Sequence, residues 1–110
     1  MSGESLIRAG EGYLGILLNE NRAKIVKLLK NKRMSVRQIA KSLGLSTVTI
    51  VYHLRVLEFA GIVGSQYERI APNRFIKTYY VNEEGIRKAL EAIEALIHEI
   101  KRRYEEAEEK

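Results

Sequence analysis

Along most of the chain, apolar residues recur three or four positions apart, the spacing of one face of a helix. In residues 35–43 they are Val36, Ile39, Ala40 and Leu43, and in residues 46–61 they are Ile50, Leu54 and Leu57, followed by Gly61. From Asn82 onward, Ile86, Leu90, Ile93, Ile97, Ile100, Tyr104 and Ala107 alternate steps of four and three, an unbroken heptad seam. Ala89, Ala92 and Leu96 widen that stripe. Between these blocks the pattern changes. Residues 63–70 read as a strand, and residues 75–81, rich in aromatic and β-branched side chains, read as the strand that returns. They flank Ala71-Pro72-Asn73-Arg74, with Pro and Asn in places that suit a turn.

The boundaries carry chemical markers of their own. Ser35 and Gln38 have the spacing of a capping box, in which serine takes an early helix N–H and glutamine reaches back. Gly44 suits the left-handed stop of that helix, Leu45 plugs the core, and Ser46 caps the next helix. Asn82 followed by Glu83 and Glu84 opens the last helix with acids at its positive end. An earlier helix is predicted from Asn19 or Asn21 to about Lys30, with Ile25, Leu28 and Leu29 inward. Residues 6–18 have helical spacing but contain Gly10, Gly12 and Gly15. Each interior glycine costs about 1 kcal/mol relative to alanine, so order is expected only after Gly12. At about 1.5 Å per residue the last helix reaches roughly 40 Å, too long to pack wholly on so small a domain. Either it folds back on its own domain or it pairs with its twin, and the 3.5-residue period favours pairing.

Composition narrows the function classes. The 110 residues contain no cysteine, which removes disulfides, thiolate metal sites and cysteine nucleophiles. No apolar run approaches the length of a membrane span, and Met1-Ser2-Gly3-Glu4 lacks the pattern of a signal peptide. A cytoplasmic protein with no membrane partner is the expectation. The net charge of +5 is unevenly spread: residues 1–81 hold 13 basic and 5 acidic side chains, and residues 82–110 hold 6 and 9. The front suits a polyanion and the tail does not. Every acid is glutamate, and this Glu/Lys/Arg-rich usage is similar to that of hyperthermophile proteins.

Helix, helix, helix, two-stranded hairpin, helix is a winged helix-turn-helix order, an α+β class that is mostly helical. The run Leu43-Gly44-Leu45-Ser46, the pair His53-Leu54, and Leu57 followed by Ala60-Gly61-Ile62-Val63 resemble the helix-turn-helix of ArsR-like winged-helix regulators. Residues 74–81, then Glu84-Gly85, resemble that family's second wing strand and exit. The resemblance covers roughly residues 19–85. It implies dimeric transcriptional repression, with residues 1–18 as an N-terminal segment or helix adjoining a dimer interface, 19–81 as the DNA-binding domain and 82–110 as a dimerisation helix. The last helix is also similar to those of small archaeal regulators and chromatin proteins that dimerise by coiled coils. Many members of the family sense metals through cysteines or through Asp and His. This chain has neither Cys nor Asp, and its two histidines, His53 and His98, are isolated, so no metal or other cofactor is expected.

With Ile50, Leu54 and Leu57 inward, Thr47, Val48, Val51 and Tyr52 face out as base-contacting candidates. Threonine bonds several bases, and Thr or Val methyls press on thymine methyls. Ser46, Thr49 and Arg55 are assigned to the DNA backbone, with Arg37 and Lys41 on the preceding helix. Arg22, Lys24, Lys27, Lys32 and Arg33 are further phosphate candidates that more simply form a solvated face. Arg69, Arg74 and Lys77 flank the wing turn, where arginine is drawn to a narrow minor groove. Ile86, Leu90, Ile93, Ile97, Ile100 and Tyr104 are the dimerisation candidates. His53 reads first as a packed helix residue whose charge can switch near neutral pH. Gly10-Glu11-Gly12-Tyr13-Leu14-Gly15 matches a nucleotide fingerprint by chance, since no strand precedes it. No catalytic constellation is present, so an enzyme is not expected. The partners expected are double-stranded DNA and a second copy of the chain; the sequence identifies no small-molecule effector. Two alternatives stay open: a sequence-tolerant architectural DNA protein, and an interaction module that never meets nucleic acid.

Overall fold

Side-chain caps divide the chain in the computed structural model, which describes residues 2–109. Ser2 accepts from the Ser5 N–H and opens α1 (Gly3–Leu17), and Asn19 accepts from the Arg22 N–H at 3.1 Å and opens α2 (Glu20–Asn31). The Ser35/Gln38 box opens α3 (Val36–Leu43), and Ser46 opens α4 (Thr47–Phe59). The hairpin follows as β1 (Val63–Ala71) and β2 (Arg74–Val81), and Asn82 accepts from the Gly85 N–H at the start of α5 (Glu83–Glu109). Gly44 stops α3 in the left-handed conformation at φ 67°. Gly61, at φ 77°, ends α4 in a Schellman motif: its N–H donates to the Glu58 carbonyl and that of Ile62 to the Leu57 carbonyl.

The core joins Ile25 and Leu29 of α2, Ile39 of α3, Ile50, Leu54 and Leu57 of α4, Ile62 and Val63 at the entry to the hairpin, Tyr79 of β2 and Ala89 of α5. Six of these aliphatic side chains are fully buried, and burial stabilises each by about 1.5–3 kcal/mol. The hairpin is antiparallel from Val63↔Val81 out to Ala71↔Arg74, with a register shift between Arg69 and Ala71. Met34 adds a single bridge on the other side of β2: its N–H donates to the Tyr79 carbonyl, and the Tyr79 N–H to the Met34 carbonyl. That bridge ties the wing to the α2–α3 connection.

The order of α1 departs from the sequence expectation. The helix runs unbroken from Gly3 through Gly10 and Gly12 rather than starting after Gly12. Packing overrides propensity here, because α1 lies along α5. Gly10 is buried, and a Cβ on it would sit 2.3 Å from the Ala92 carbonyl oxygen. Glycine therefore lets two helix backbones approach. Gly85 does the same where α5 begins, its missing Cβ falling 1.8 Å from the Gly61 carbonyl oxygen. The molecule is elongated, 69 × 29 × 21 Å, with a radius of gyration of 17.4 Å. A compact chain of this length would have about 13 Å. Among the described residues no helix is long and apolar enough to cross a membrane.

Candidate nucleic-acid interface

Helix α4 turns Ile50, Leu54 and Leu57 into the core. Its opposite side is bare: Val48 is 79% exposed and Tyr52 60%, with Thr47 and Arg55 also exposed and Val51 half-buried. Thr47, Val48, Val51, Tyr52 and Arg55 line one shallow depression. The structure thus brings together all four residues assigned to bases, with Arg55 one turn beyond. Ser46 and Thr49 lie at the helix start. The Ser46 oxygen takes the Thr49 N–H at 3.2 Å, and the two hydroxyls bond each other at 2.9 Å. They fix the N-terminus that presents the Thr-Val face.

The cations assigned to DNA, Arg37, Lys41, Arg55, Arg69, Arg74 and Lys77, form no ion pairs among the described residues. Arg37 and Lys41 stand exposed one turn apart on α3. Arg69 and Arg74 flank the hairpin tip. Lys77 lies further down and folds back, its ammonium 5.3 Å from the centre of the Tyr79 ring, and a bond with the Tyr79 hydroxyl raises its pKa. Arg22 leaves the set of phosphate candidates. It donates to the Ile16 carbonyl at 2.8 Å and to Nδ1 of His53 at 3.3 Å, which ties α1, α2 and α4 together. His53 is buried, its Nδ1 accepts, and its proton therefore sits on Nε2. Burial, and then the Arg22 charge, lower its pKa. It is a packed residue that braces α4. Lys24 pairs with Glu20, and Arg33 lies beside Glu68 and over the Tyr80 ring.

On α5, Ala89, Ala92 and Leu96 are buried. Ile86 and Ile93 are half-buried, while Leu90, Ile97, Ile100 and Tyr104 remain exposed. One edge of the helix therefore folds back on α1 and the core, while Leu90, Ile97, Ile100 and Tyr104 of the heptad seam stay uncovered. Among the described residues no group of three or more His, Cys, Asp or Glu side chains could hold a metal ion. The sequence reading overlooked three exposed apolar side chains of the wing, Tyr67, Ile70 and Phe75, and Phe59 at the end of α4. Their apolar character alone predicts burial; the strand register places the three wing residues outside, and Phe59 is exposed at the last residue of α4.

Residues 19–65 match the model of a family described as bacterial regulatory protein, arsR family. Solved structures share the fold over most of the chain. The transcriptional regulator HlyU from Vibrio vulnificus CMCP6 is 28% identical with a TM-score of 0.56, covering 79% of this chain and 81% of that one. A transcriptional regulator homologue from Pyrococcus horikoshii OT3 is 26% identical with a TM-score of 0.61, covering 86% and 95%. The homodimeric winged helix-turn-helix DNA-binding domain Mb0332 from Mycobacterium bovis is 23% identical with a TM-score of 0.63, covering 87% and 83%. No curated protein matches the chain.

Proposed function

We propose, from the premise that residues 19–65 form an ArsR-like winged helix-turn-helix, that this protein is a homodimeric, sequence-specific DNA-binding transcriptional regulator that acts as a repressor. The observation that carries the reading is the outward face of α4. Thr47, Val48, Val51 and Tyr52 form a surface the core does not use, with Arg55 in the same depression and Arg37 and Lys41 exposed and free of ion pairs on α3. In this reading α4 enters the major groove by its N-terminal turns. Thr47 bonds base edges, and Val48 and Val51 meet thymine methyls. Arg37 and Lys41 hold phosphates, which fix register without reading sequence.

Dimerisation is supported by the uncovered seam of Leu90, Ile97, Ile100 and Tyr104, and by the likeness in fold to a domain that is itself homodimeric. Ile86 and Ile93 belong to the same seam. A two-fold dimer would set two α4 helices about 34 Å apart, one turn of DNA. Selecting binding sites from random duplexes and then footprinting the protein tests the proposal. A discrete, two-fold-symmetric protected site supports it. Continuous, cooperative coating of any duplex would replace it with an architectural role. Absence of duplex binding at low salt would leave an interaction module.

A further inference from the structure

The wing carries an arrangement that a plain electrostatic contact does not need. In the ladder Tyr67 stands opposite Lys77, and Arg69 opposite Phe75. Directly paired residues share a face, so one face of the hairpin alternates aromatic and cation in both directions. Lower on that same face, Val63 and Tyr79 are buried in the core with the helices. Beyond the core the same face runs out into solvent. Tyr67 and Phe75 are exposed, the latter at 60%. Exposed aromatics alternating with cations suit a polyanion that also offers π surfaces.

The tip is stiff. The register shift between Arg69 and Ala71 leaves Ile70 without a ladder partner, and it is 53% exposed. Pro72 restricts its own φ, and Asn73 takes the left-handed conformation at φ 68°. A tip of restricted backbone beside an exposed phenylalanine, paired with Arg69 in the ladder, suits an apolar wedge.

We propose that the wing tip inserts Phe75 between two base pairs from the minor groove and kinks the duplex, with Arg69 and Arg74 on the flanking phosphates. The inference rests on the DNA-binding reading and adds a specificity element to it. Unstacking is least costly at flexible pyrimidine–purine steps. The protein therefore prefers a TA or CA step at the position beneath the wing, although Phe75 makes no hydrogen bond to it. The kink opens the minor groove and turns the duplex toward the major groove.

The test uses selected sites carrying a single TA step moved through the flank of each half-site. Energy transfer between end-labels gives the bend, and titration gives the affinity. Wild-type protein bends the duplex and binds the best-placed TA about tenfold more tightly than AA at the same place. Phe75→Ala loses most of the bend, and its TA/AA ratio falls toward one; Phe75→Leu, which keeps a wedge, retains part of both. Circular dichroism confirms that the variants fold. Equal bending and equal ratios for wild type and Phe75→Ala would overturn the wedge while leaving DNA binding intact. A wild-type protein that binds no duplex would remove the underlying reading and the wedge with it.

Discussion

The cations of α5 and those around α4 are used in opposite ways. On α5, Arg87 bonds Glu91 at 2.8 Å, Lys88 lies 3.8 Å from Glu84, and Arg103 bonds Glu99 at 3.0 Å. Arg102 is shared between Glu99 and Glu106. The bond from Arg102, with help from Arg103, holds the Glu99 carboxyl down at about 2. Around α4 the cations have no carboxylate to hold. Exposed pairs contribute only a few tenths of a kcal/mol, so the contrast says little about stability. It says where charge is available. A phosphate need not break an ion pair to reach Arg37 or Lys41, whereas Arg87, Lys88, Arg102 and Arg103 of α5 are already engaged and the apolar seam stays free. In the proposed reading α4 and the cations of α3 and the wing meet a polyanion, and the α5 seam meets a protein surface.

Substitutions on each surface test that contrast. The largest effect is expected from Ile97→Glu combined with Ile100→Glu, which places charge on the seam. Sedimentation should give a monomer, and affinity for a two-fold site should fall roughly 100-fold or more as the second half-site contact is lost. Next is Arg37→Ala with Lys41→Ala. Binding should weaken about equally at all sequences, and the slope of log affinity against log salt should shrink by about 4 for the dimer, two phosphate contacts being lost in each half-site. Thr47→Ala should cost roughly 1–3 kcal/mol of discrimination at one base position, read by competition between site variants, with little change in salt slope. Acid should separate the two ends. His53 has its pKa lowered by burial and by Arg22, so the unfolded chain takes up a proton near pH 6.5 before the folded one does. Stability is therefore full above that pH and declines as pH falls below it; urea midpoints at pH 7.5 and 5.5 should converge in His53→Gln. The contribution of Glu99 is full above about pH 4.5 and is lost as pH falls from there toward about 2. Arg102→Ala should leave DNA affinity unchanged while an NMR titration finds the Glu99 pKa risen.

Local chemistry made much of this legible in the sequence. Ser35 with Gln38, Gly44, Ser46 and Asn82 each mark a boundary within a few residues of where it falls, because a cap is a contact between near neighbours. The outward face of α4 followed from the spacing of Ile50, Leu54 and Leu57. What the sequence hid depends on partners far along the chain. Gly10 looked like a helix breaker until Ala92 lay across it. Arg22 looked like a free cation until it met His53, 31 positions away. Met34 could not be paired with Tyr79 without the fold. The checkerboard of the wing needs the register, and a one-residue slip would send every side chain to the other face.

The claim on which the rest depends is that Thr47, Val48 and Val51 lie against the major-groove edge of DNA. Replacing thymine by deoxyuridine, one position at a time across a selected site, removes only the methyl that these side chains would touch. The account predicts a few positions in each half-site where wild-type binding weakens several-fold, and where Val51→Ala loses that sensitivity. Binding equally indifferent to every methyl, in wild type and Val51→Ala alike, would contradict it.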